Sequence, residues 1–201
     1  ENWKVLFEGE GWKLPVLTMY STLYDAENKE ILYNTWDASL GDVFEQKAVE
    51  VDANTLRFYG KPAIQPPLGT LVALFHVRYL TPGISLNRSK DILLKDITLY
   101  NALSNAFNGH RCENITMDNA NVRVNDAKGR CFSSVADASH FSECRGKVRI
   151  LNCSHTGQGD DFINVHGTSV KIANVIDPYT VTVPSDGKGN GNSVTVGDSY
   201  W

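Results

Sequence analysis

Three segments of the chain repeat one pattern, and that pattern restricts the fold more than any other feature. Ile92-Leu93-Leu94-Lys95-Asp96-Ile97, Ile115-Thr116-Met117-Asp118-Asn119-Ala120 and Val148-Arg149-Ile150-Leu151-Asn152-Cys153 each set alternating apolar positions before an Asp or Asn and a small or apolar residue. Ile115 follows Ile92 by 23 residues, and Val148 follows Ile115 by 33. Alternation with period two is the signature of strands, because successive side chains point to opposite faces. A repeat of twenty-odd residues, built of short strands with Asn or Asp at the corners, suits a right-handed parallel β-helix, in which each coil stacks its apolar side chains on its neighbours. The longer second interval predicts one coil with an inserted loop near Asp126 to Val135.

A second periodic element carries the chemistry. Asp137-Ala138-Ser139-His140-Phe141 precedes Asp161-Phe162-Ile163-Asn164-Val165 by 24 residues. In that register Asp137 stacks beside Asp161, His140 beside Asn164, and Phe141 beside Val165, one strand spacing of about 4.8 Å apart. Asp160 and Asp161 follow a glycine turn in Gly157 to Gly167, so three carboxylates converge. Strict alternation would turn Asp161 inward with Ile163, so a bend or bulge before Phe162 is required. A hydrated Asp-Asp turn before an ordinary strand is the plain alternative for this stretch taken alone.

Crowded like charges resist joint ionisation, so at least one of these carboxyls should hold its proton more tightly. A protonated carboxyl and an ionised one together provide the acid and the base of glycoside hydrolysis. The same three could bind Ca²⁺, but no EF-hand or HExxH spacing is present, and neither a metal nor another cofactor is expected. His110, His140, His155 and His166 lie in the same region. His140 and His166 share the carboxylate face. His76 and His155 read as structural, and Arg130 and Arg145 as weaker candidates than the histidines.

The rest of the chain frames this core. Residues 1–70 read as an N-terminal β region with strands at Trp3–Phe7, Val16–Leu23, Ile31–Tyr33 and Leu56–Tyr59, and a turn at Asp25–Asn28. Asp37 to Val51 is ambiguous between a helical turn and strand, with Val49 and Val51 favouring strand. Leu71–Phe75 reads as a strand buried on both faces, and residues 71–176 as the solenoid core. Residues 177–201 read as a hairpin of Tyr179–Val183 with Ser193–Val196 across the Gly-rich Pro184–Asn192, the start of an added β-barrel domain, ending on Tyr200-Trp201. The net charge of −4 gives no footprint for nucleic acid or an anionic membrane, and no apolar run approaches membrane-spanning length. Four cysteines without CxxC spacing read as free thiols. Of the sequons at Asn87, Asn114 and Asn152, the last two sit in the repeat, where structure explains them better than glycosylation does.

Ser134 to Phe141, Cys144-Arg145-Gly146-Lys147 and Asp160 to Gly167 together resemble the core of glycoside hydrolase family 110, exo-acting α-1,3-galactosidases on a right-handed parallel β-helix. The resemblance runs from about Tyr79 to Lys171. It implies inversion at a terminal α-linked galactose, with Asp160 as general acid and Asp137 and Asp161 holding and activating water. His140, Asn164, His166, Arg130 and His110 are the residues expected to bind the sugar. The implied partner is a galactose-terminated oligo- or polysaccharide, met outside the cell or in a periplasm. Family members are much longer, so a second copy or the remainder of a longer chain is expected to complete the pocket. A polygalacturonase-like hydrolase, a Ca²⁺-dependent lyase and a non-catalytic carbohydrate-binding β-helix remain open as alternatives.

Overall fold

A computed structural model of the chain describes residues 6–9, 12–15, 20–183 and 196–197. The chain is all-β with parallel sheets at its centre. Strands β1 (Leu6–Gly9) and β2 (Trp12–Pro15) form an antiparallel hairpin. Strand β3 (Ser21–Tyr24) is followed by the predicted turn, in which Asp25 Oδ1 accepts from the backbone N–H groups of Glu27 and Asn28. Strands β4 (Ala48–Asp52) and β5 (Thr55–Phe58) make a second hairpin, preceded by a 3-10 turn at Val43–Glu45. Both readings of the ambiguous Asp37–Val51 stretch thus hold, in succession. Strand β6 (Leu71–Leu74) then returns to pair antiparallel with β3.

Two expectations for this region are corrected. The predicted strand at Ile31–Tyr33 is a single bridge from Ile31 to Tyr24. Strand β6 is not buried on both faces: it pairs with β3 alone, and Val72 is 39% exposed. The apolar run reflects instead its end, where the buried Phe75 meets Phe132 with ring centroids 5.1 Å apart. Residues 3–5 and 16–19 of two predicted strands lie outside the described residues.

The centre is a stack of seven parallel strands: β7 (Ile84–Asn87), β8 (Lys90–Leu99), β9 (Phe107–His110), β10 (Glu113–Val122), β11 (Ser139–Ser142), β12 (Arg145–Leu151) and β13 (Ile163–His166). Successive strands alternate between two sheets, one ordered β13-β11-β9-β7 and the other β12-β10-β8. The registers follow the repeat: Ile92, Ile115 and Val148 are partners, and Ser139, His140 and Phe141 pair with Ile163, Asn164 and Val165. The inserted loop falls where predicted, between β10 and β11, with a 3-10 turn at Asp126–Lys128.

Sharp corners lie between and within the strands. Arg88, Arg111 and Glu143 occupy one corner with φ near 50°, Asp91, Asn114 and Gly146 the next, and Asp96, Asn119 and Asn152 a third. Turning a strand within one residue demands this left-handed conformation, which Asn, Asp and Gly adopt at low cost. Arg88, Arg111 and Glu143 lack that tolerance. Their N–H groups donate to His110 O, Ser142 O and His166 O at 2.9, 3.0 and 2.8 Å, which fixes the strained corner from the neighbouring coil. Inside, Leu94, Phe107, Ile115, Met117, Val122 and Phe141 are buried in one cluster. Each such side chain contributes about 1.5–3 kcal/mol of burial.

The four cysteines are free. After β13, strand β14 (Asn174–Asp177) pairs antiparallel with β15 (Thr180–Thr182). The hairpin therefore uses an upstream partner for Tyr179–Val183. Of the predicted downstream strand and the segments around it, residues 184–195 and 198–201 lie outside the described residues.

Candidate active site

The carboxylates owe their position to two glycines. Gly157 has φ 68°, and a side chain there would collide with Val124. A Cβ on Gly159 would press on the Val135 carbonyl and the Phe132 ring. The turn therefore lies flush on the preceding coil, tied by Ser133 N–H to Gly157 O at 2.8 Å and Gly159 N–H to Ser134 O at 2.9 Å. Ala138 N–H donates to Asp161 O at 3.0 Å, which sets Asp137 beside Asp161. The required bend lies at Phe162, and the Asp161 side chain is exposed. Ile163 is 38% exposed as well, because β13 is the last strand of its sheet among the described residues.

One oxygen from each of Asp137, Asp160 and Asp161 lies within 4.8 Å of the other two. Their surroundings differ. Asp137 is 5% exposed, and its Oδ2 lies 2.6 Å from His140 Nδ1. Asp161 Oδ2 accepts from Asn164 Nδ2 at 3.1 Å. Among the described residues no such donor is bonded to Asp160; Arg78 faces it, with Nη2 3.8 Å from Oδ2. Partial burial holds the Asp160 carboxyl above the usual carboxylate range, and the charges of Asp137 and Asp161 push the same way, against the pull of Arg78. The arrangement therefore favours a proton on Asp160. His140 thus bonds Asp137, Asn164 bonds Asp161, and Arg78 faces Asp160.

The sequence candidates divide by distance. His140, Asn164 and His166 converge: His140 Nε2 and His166 Nε2 are 3.1 Å apart, and His166 Nδ1 lies 2.8 Å from Gly167 O. His110 sits two strands from His166 in the same sheet, with Nδ1 3.1 Å from Ser142 Oγ. Arg130 lies exposed in the inserted loop, and no ion pair or hydrogen bond joins its side chain to the carboxylates among the described residues. Arg145 pairs with Glu113 on the coil surface. His155 is structural, as read: it is buried between Phe107 and Phe162, with Nδ1 3.2 Å from Phe162 O, and burial lowers its proton affinity. A concavity over the other sheet, lined by Asp91, Asn114, Thr116, Lys147 and Arg149, holds no crowded carboxylates, and its Asn114 and Asp91 bond each other.

Three residues that sequence reasoning missed reach the site. Arg78 faces Asp160 and also Asp37, with Nη1 3.6 Å from Asp37 Oδ2. Its guanidinium carbon lies 4.5 Å from the Tyr20 ring centroid. Nothing periodic links Tyr20, Asp37 and Arg78 to the repeat, and the only signal was a cation placed just beyond an apolar strand.

The sequence model of the GLAA-B beta-barrel domain I matches residues 1–72, at the opposite end of the chain from the hairpin read as the start of a barrel. The chain is 29% identical over 182 residues to the alpha-1,3-galactosidase A of Shewanella woodyi, covering 90% of this chain and 30% of that protein. It is 35% identical over 188 residues to an alpha-1,3-galactosidase B of Phocaeicola vulgatus, covering 90% and 29%. It is 31% identical over 185 residues to the alpha-1,3-galactosidase B of Bacteroides thetaiotaomicron, covering 90% and 29%. The chain thus spans under a third of the length of these curated relatives. By sequence it is a homologue of one segment of the alpha-1,3-galactosidases.

Proposed function

We propose that this chain carries the catalytic carboxylates of an exo-acting glycosidase that removes terminal α-1,3-linked galactose, mounted on a right-handed parallel β-helix spanning residues 71–176. The alternation of strands between two parallel sheets supports the β-helix reading. The observation that carries the function is the convergence of three carboxylates, among which Asp160 holds its proton more tightly than an ordinary carboxyl.

In this reading Asp160 gives its proton to the glycosidic oxygen as the bond to the galactose C1 breaks. Asp137 and Asp161 accept the hydrogens of one water and draw off its proton as its oxygen attacks C1. A water bonded to two carboxylate oxygens at ordinary distances spans about 4.5 Å between them, and one oxygen of each of these carboxylates lies within 4.8 Å of the others. His140, Asn164 and His166 orient these two acceptors and offer donors to sugar hydroxyls.

The likeness to the family supports inversion. A second reading is retention: one oxygen from each carboxylate lies within 4.8 Å of the others, and in a retaining pair, with carboxyls about 5–5.5 Å apart, one carboxylate attacks C1 directly. Time-resolved NMR with an α-1,3-linked galactose disaccharide separates the two. Early β-galactose is the expected result. Early α-galactose assigns retention, and no release by folded protein overturns the galactosidase reading for this chain. An unsaturated, UV-absorbing product from an acidic polysaccharide would establish a lyase instead.

A further inference from the structure

We propose that Arg78 is a positioning residue for Asp160, seated there by Asp37 and Tyr20, so that the segment preceding the parallel stack supplies part of the active site. The inference rests on the reading of Asp160 as the acid. Arg78 lies beyond the end of β6, outside the repeat. Its guanidinium stands between Asp37 and Asp160 at 3.6 and 3.8 Å, too long for a direct hydrogen bond to either. It is shared between two carboxylates and clasps neither. A freely solvated arginine would turn to satisfy its donors. This side chain is 19% exposed, and its Nε is covered without an acceptor among the described residues.

Aromatic faces hold it in that compromise. Tyr20 lies against the guanidinium on one side, and the Tyr79 ring centroid is 5.2 Å away. Tyr79 itself has φ 57°, a conformation bulky residues rarely adopt. The seat is anchored to the stack by Phe75 against Phe132 and by Leu80 N–H to Leu103 O at 3.0 Å. The charged groups facing Asp160 are Asp137 and Asp161 from the loops before β11 and β13, Arg78 after β6, and Asp37 before β4; His140 reaches it through Asp137. Arg78 therefore moderates how tightly Asp160 holds its proton, and Asp37 moderates Arg78.

The test is a ¹³C NMR titration of the Asp160 carboxyl in the full chain and in three variants. Arg78→Gln removes the cation, and the midpoint should rise by about half a pH unit, the scale of a partly exposed pair. Asp37→Asn removes a competing anion, and the midpoint should fall. Arg78→Lys keeps the charge and should lie between wild type and Arg78→Gln. Shifts in the same direction for Arg78→Gln and Asp37→Asn, or equal shifts for Arg78→Gln and Arg78→Lys, would reduce Arg78 to a packing role and overturn the proposal. If Arg78→Gln fails to fold, the Asp37→Asn result decides alone: an unmoved or raised midpoint overturns it. None of these readouts needs turnover, so a chain without galactosidase activity removes the assignment of Asp160 as acid and leaves the coupling measured.

Discussion

The two parallel sheets place acidic side chains one coil apart in the same way, with opposite results. At the corners of the β8-β10-β12 sheet, amides stack on acids. Asn114 donates to Asp91 at 2.8 Å, Asn119 to Asp96 at 2.8 Å, and Asn152 to Asp118 at 2.9 Å. Lys90 and Arg145 flank Glu113 in the same sheet, and the bond to Lys90 leads the causes that hold its carboxyl below the usual range. Beside the β7-β9-β11-β13 sheet, acid stacks on acid: Asp137 meets Asp160 and Asp161, and Asp160 is pushed above the usual range. A donor facing an acceptor closes a bond and stabilises the corner. Two acceptors facing each other need a proton or an outside donor, and that need is a chemical capacity.

The largest test of the contrast exchanges one acid for its amide in each place. Asp160→Asn should lower galactose release by about 10²–10⁴-fold, the usual contribution of a positioned acid. Asp96→Asn should leave the rate within about twofold, because an amide oxygen can still accept from Asn119 and Asn tolerates the same φ. Equal losses in both variants would mean that stacked acids play one role throughout.

A middle-sized effect probes the structural side. Asn119→Ala removes the bond to Asp96 and forces alanine into φ 54°. Urea unfolding should show a loss of about 1–2 kcal/mol. A loss under a few tenths would demote the corner ladder to decoration.

The smallest effect tests the site's cost to stability. A carboxyl whose proton affinity is raised by folding contributes stability below its unfolded pKa, and loses it as pH rises through the folded value. Asp160→Asn should therefore be slightly more stable than the parent near pH 7, by a few tenths of a kcal/mol for so exposed a group. The advantage should fade as pH falls below the ordinary carboxylate range. Thermal melts across pH would expose the opposite trend if Asp160 were instead stabilised as an anion.

Much of the stack was legible because stacking writes its own period. The 23-, 33- and 24-residue offsets became the observed registers, and the phase conflict at Asp161 became the bend at Phe162. Contacts that obey no period were not legible. Arg78 meets Asp160 across some eighty residues, and Asp37 joins from further still. Arg130 was drawn toward the site by nearness in sequence, yet the inserted loop carries it outward to solvent. Leu71–Phe75 misled for a related reason: an apolar run records burial somewhere along it, and here that place is its end, at Phe75 against Phe132.

The inserted loop between β10 and β11 has two unlike halves. Residues 126–130 are exposed, while Ser133 to Val135 are buried beneath the Gly159 turn. Strand pairing fixes Asp137 against Asp161 whatever the length of the outer half. Natural variation or grafting can thus lengthen, shorten or recode residues 126–130 without disturbing the acids. A single enlarged side chain at the root would lift Asp160 off its base.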